Sequence, residues 1–89
     1  MPTDELQMGR RKKKEDHILE IVRQAEGKIK VTDLYGAYSQ KYQGTSIRTF
    51  LNEYLPAIEY RQQIRVVVDG SGYWVFTPKR YDEEEKGKS

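Results

Sequence analysis

The chain has 89 residues, a formal net charge of +2, seven tyrosines, one tryptophan and no cysteine. That length makes one small domain with a small core, and without cysteine there are no disulfides and no thiolate metal sites. A single histidine, His17, cannot build a zinc site, and no apolar stretch nears the ~20 residues that span a bilayer; the expectation is a soluble, cytoplasmic protein that needs no cofactor.

Charge is spread unevenly, at +2 over residues 1–15, +2 over 16–81 and −2 over 82–89. Attraction to phosphate must then come from local clusters rather than from the whole charge. Residues 1–11 read as a disordered basic lead, residues 12–80 as the folded domain, and residues 81–89 as a charged disordered tail. From about Lys12, apolar spacing predicts a helix whose stripe is Ile18, Leu19, Ile21, Val22 and Ala25, stopped by Gly27. The alternation from Lys28 to Val31 predicts a brief strand.

Thr32 or Asp33 is the expected cap of a second helix, Leu34 to Tyr42, with Leu34, Ala37 and Tyr38 inward. Gly36 in its middle suggests a close helix approach. Gln43-Gly44 breaks it. Thr45 or Ser46 opens a third helix to about Leu55, with Ile47, Phe50, Leu51, Tyr54 and Leu55 on its apolar side. Pro56 is expected to end or kink that helix. A period of two then marks strands over about 60–68 and 73–77, joined by the turn Asp69-Gly70-Ser71-Gly72.

The predicted class is α+β, with three helices and a small three-stranded antiparallel sheet in the order helix-strand-helix-helix-strand-strand. Two short helices joined by a glycine-bearing turn, flanked by a strand and a hairpin, make a helix-turn-helix signal. The stretches KVTDLYGAYSQKY, TSIRTFLNEYL and RVVVDGSGYWVF in this order resemble the winged helix-turn-helix superfamily over residues 12–78. There is a fainter likeness to winged helix domains of archaeal replication-origin binding proteins and to small archaeal or viral transcription regulators. The resemblance implies binding of double-stranded DNA with the third helix in the major groove, in transcription regulation or a replication or initiation accessory role.

On that helix the outward candidates are Thr45, Ser46, Arg48, Thr49 and Asn52. Arg can fork onto guanine, Asn can pair with adenine, and hydroxyls at a helix start can hold phosphate. Glu53 beside them would repel phosphate and reads more simply as a surface carboxylate. Arg61, Arg65, Lys79 and Arg80, on the strands and exit of the hairpin, are the phosphate candidates there, since its tip carries no cation. Arg10, Arg11, Lys12, Lys13 and Lys14 form the densest basic run, either an arm on phosphates or a solvated helix start.

Tyr73, Trp74 and Phe76 could stack on unpaired bases, but at hairpin spacing they read more simply as core and cover. These aromatics or the first helix could also serve a homodimer. No nucleophile–base pair, phosphate loop or metal cluster is present, so no enzymatic activity and no small-molecule substrate is expected. The alternative is a winged helix adaptor that binds protein and not DNA, favoured by the near-neutral folded part and the acidic hairpin tip.

Overall fold

The computed structural model describes the backbone of residues 3–88 and the side chains of residues 12–87. The elements run α1 (Thr3–Gln24), β1 (Lys28–Lys30), α2 (Val31–Lys41), α3 (Ile47–Thr49), a π-helical stretch (Phe50–Tyr54), α4 (Leu55–Tyr60), β2 (Arg65–Asp69), β3 (Gly72–Phe76) and α5 (Pro78–Lys88). The three strands form one antiparallel sheet with β3 in the middle, in the order β1-β3-β2. The class is therefore α+β with a small three-stranded sheet, as the periodicities predict, plus a terminal helix that they do not.

The core is built where helices meet the inner face of the sheet. Ile18, Leu19 and Val22 of α1, Leu34 and Tyr38 of α2, and Phe50, Leu55 and Ile58 beyond them are buried against Val75. Tyr38 is the largest fully buried side chain. Its ring lies 5.1 Å from Phe50 and 5.5 Å from Tyr42, so an aromatic cluster fills the space that a short chain would otherwise leave thin. Several expected inward positions are corrected. Ile21, Ala25, Ala37, Leu51 and Tyr54 are only partly buried, and Ile47 is 43 % exposed.

Gly27 follows α1 with φ +85°, and its amide bonds the Val22 carbonyl at 2.9 Å. A Cβ there would sit 2.6 Å from Thr77 Oγ1, so glycine serves both the helix stop and the seat of α5. Gly36, by contrast, has nothing near its missing side chain and marks no close approach. α2 starts earlier than expected. Lys30 is its cap residue, without a side-chain cap bond, so β1 runs straight into α2 and neither Thr32 nor Asp33 caps it.

Both predicted disordered ends contain helix. α1 begins at Thr3 rather than near Lys12. Leu, Met, Gln, Arg, Lys and Glu in residues 5–15 are good helix formers, and a helix that leaves the body needs no apolar stripe to announce it. At the other end Thr77 Oγ1 accepts from the Arg80 amide at 3.3 Å, and Pro78 takes the first helical position. That is a helix start of the Thr-Pro type, not only a strand stop. Tyr81 then packs edge-on to Phe76 at 6.0 Å.

Pro56 does not end the third helix. α3, the π-helical stretch and α4 run end to end, and Leu55 stays helical at φ −63°, ψ −44°. Proline cannot donate to the residue four back, and its ring crowds that carbonyl. Here the Leu55 amide reaches back five residues to the Phe50 carbonyl. The wider turn just before Pro56 accommodates the ring, and the chain continues to Tyr60.

Candidate nucleic-acid interface

Ser46 sits in extended geometry at the start of α3, and its Oγ accepts from the Thr49 amide at 3.1 Å. The Ser46 hydroxyl also donates to Thr49 Oγ1 at 3.1 Å. These two hydroxyls are therefore joined as a cap. Thr45 turns inward. Its Oγ1 meets Tyr38 Oη at 3.0 Å, and its carbonyl accepts from Tyr35 Oη. The turn between α2 and α3 is thus tied to the aromatic core, which fixes where α3 begins. Arg48 and Asn52 stand exposed one turn further on.

Of the residues singled out in the sequence, the structure keeps Arg48 and Asn52 as a solvent-facing pair, with Ser46 and Thr49 as their capped base. Arg61 is exposed but already holds a partner. Its guanidinium pairs with Glu15, which is buried, so it ties α1 to the end of α4. Arg65 lies on β2 with its guanidinium carbon 5.6 Å from the Tyr81 ring centre, on the side of the sheet covered by α5. Lys12 and Lys13 are exposed on α1, and Lys14 stands 6.0 Å from the Tyr42 ring centre. The side chains of Arg10 and Arg11 lie outside the described residues.

No family model, curated protein or solved structure matches this chain. No helix among the described residues is long and apolar enough to cross a membrane.

Two features, one beside α3 and one away from it, are not visible in the sequence. The first is a groove of about 320 Å³ between α3 and the hairpin, lined by Lys30, Thr32, Ile47, Leu51 and Tyr73 among others. Tyr73 is 51 % exposed there. The second is a hollow of mixed charge where α1 meets the end of α2, lined by Lys13, Asp16, Glu20 and Lys41. Lys41 Nζ lies 5.6 Å from the Tyr42 ring centre on which Lys14 also sits, and His17 packs edge-on to the same ring at 5.6 Å. Helical phase places Lys14 and His17 near each other, but only the fold brings Tyr42 between them.

The hairpin tip is locked by its own acid. Asp69 Oδ1 accepts from the Ser71 amide at 2.8 Å and from the Ser71 hydroxyl at 2.6 Å, and Trp74 Nε1 donates to Ser71 Oγ at 3.0 Å. The Ser71 hydroxyl, then its amide, hold the Asp69 carboxyl below the usual carboxylate range. A depressed folded value means that the lock is fully present above the unfolded value and is lost as pH falls through the folded one. Trp74 emission is expected to change in acid with a midpoint below that of an ordinary aspartate. Asp69→Asn should remove the transition; an unchanged acid titration in that variant would show that another group causes it.

Proposed function

We propose that the chain is a winged helix-turn-helix module that binds double-stranded DNA, with the helix beginning at Ile47 in the major groove. It would act by occupying a site, as a transcription regulator or as an accessory factor in replication initiation. The observation that carries this reading is the exposed Arg48 and Asn52 pair on a helix whose other side holds Phe50, Leu55 and Ile58 in the core. These are side chains able to make two-point contacts to guanine and adenine edges. The order of elements and the β1-β3-β2 sheet are compatible with it. The wing contributes little cation, since its tip is an acidic turn.

One observation favours a second reading, a winged helix adaptor for a protein partner. The groove flanked by Ile47 and Tyr73 leaves apolar surface exposed beside the same helix. Anisotropy of labelled random duplex DNA, measured at low and moderate salt, separates the two. Salt-dependent binding is expected from the DNA reading, and no binding at low salt would overturn it.

Helical α1 sharpens what its cations can do. Successive helical residues point about 100° apart, so Lys12, Lys13 and Lys14 face three directions and do not all reach one phosphate line. Each neutralised phosphate contributes about −0.9 to the slope of log K against log salt. Replacing the three lysines by Gln is therefore expected to flatten that slope by about 1–2 and to weaken all duplexes alike, since phosphate contacts carry little sequence information. An unchanged slope would mean that α1 stays off the DNA.

A further inference from the structure

The sheet has a second face, turned away from the core. Ile29, Val66 and Val75 pack against or within the core. By strand alternation Lys28, Lys30, Arg65, Val67, Trp74 and Phe76 share the opposite face. The register aligns them in two rows across the three strands. Lys30, Trp74 and Val67 make one row, and Lys28, Phe76 and Arg65 make the next.

Trp74 is the centre of this face. Lys28 Nζ stands 5.0 Å and Lys30 Nζ 5.3 Å from its ring centre. Its Nε1 bond to Ser71 Oγ fixes the indole from the hairpin side. The ring itself stays partly exposed, whereas Phe76 is buried. α5 lies over the Phe76 row, where Tyr81 meets both Phe76 and Arg65. From α5, Glu84 reaches Lys28 at 3.2 Å and Arg80 at 3.3 Å.

We propose that this face is a second nucleic-acid site, selective for single strands, in which an unpaired base takes the place of a lysine ammonium over the Trp74 ring and Lys28, Lys30 and Arg65 take the flanking phosphates. A sheet surface offering an aromatic ring among cations suits a strand whose bases are free, because every base has a π-face and every linkage a negative charge. In a duplex those base faces are stacked inside the helix, so the same surface offers it no stacking. Glu84 already occupies Lys28, so α5 competes with phosphate for one of the three cations. The inference stands apart from the duplex reading, since Trp74, Lys28 and Arg65 lie on the face turned away from the core.

Trp74 is the only tryptophan, so intrinsic fluorescence reads the site directly. Titration of the full chain at low salt with short oligothymidylate, and separately with short oligouridylate, is expected to quench that emission. The salt slope should be about −0.7 for each phosphate engaged. Followed by anisotropy of a labelled oligonucleotide, Trp74→Leu should bind about ten-fold more weakly or worse. Lys28→Gln should also weaken binding, and Glu84→Gln should strengthen it by freeing Lys28. The two Gln variants keep the test decisive if Trp74→Leu does not fold. No quenching by either oligonucleotide would overturn the proposal. So would affinity unmoved by both Gln variants, or unlabelled duplex competing as well as single strands.

Discussion

Phe50→Ala is expected to cost about 3–5 kcal/mol of folding stability, a large share of what a domain of this length possesses. Phe50 is fully buried. Its ring lies 5.3 Å from Tyr35, edge-on, and 5.1 Å from Tyr38. Truncation therefore removes transfer energy, leaves a cavity between two rigid rings and loses two aromatic contacts. Tyr35 and Tyr38 also hold the turn through Thr45, so the start of the third helix loosens with the core. Leu51→Ala, at a partly buried site, is expected to cost much less. Urea or thermal melting of both variants checks the order, and equal losses would show that the helix phase is misread. In a domain this size each kcal/mol lowers Tm by about 4–8 °C, so the two are easily told apart.

The second large effect concerns binding. Replacing Arg48 and Asn52 together by Ala is expected to remove about 1–3 kcal/mol of discrimination per lost two-point contact, or about five- to 150-fold for each. Both side chains are exposed, so melting temperature should hardly move. Affinity for random duplex should also fall little, because that part comes from phosphates. The measurement is selection of preferred duplexes from a random pool, followed by titration of wild type and variant. A double variant that keeps its full preference for the selected site would place base reading elsewhere. The hairpin groove beside Tyr73 would then be the next surface to alter.

Periodicity carried most of the architecture. The α1 stripe of Ile18, Leu19 and Val22, the buried Leu34 and Tyr38, and the pairing of the two hairpin strands lie where spacing puts them, whereas Val68, in phase with Ile64 and Val66, is 62 % exposed because β2 runs out past the core toward the turn. What spacing could not carry was helix without an apolar face. The first turns of α1 and the length of α5 rest on intrinsic propensity and on the Thr77-Pro78 start, and a count of apolar residues passes over both. The site shows the same division. Arg48 and Asn52 were legible because a helix phase alone exposes them. Arg61 was not, because only the fold places it beside Glu15, which lies 46 positions away in sequence. The inward turn of Thr45 was hidden for the same reason, since its partners Tyr35 and Tyr38 belong to the preceding helix.

The turn before Pro56 has a consequence for how this sequence tolerates change over time. A backbone loop closed five residues back holds one more residue than an α-helical turn would. Seen that way, residues 50–54 carry a one-residue insertion, and Pro56 is tolerable because the insertion is there. A lineage that lost the extra residue would bring the proline ring against a carbonyl and would be under pressure to lose the proline too. One that lost the proline could shed the insertion freely. The extra residue and the proline form one heritable unit, and aligned descendants of this chain would be expected to keep or discard them together.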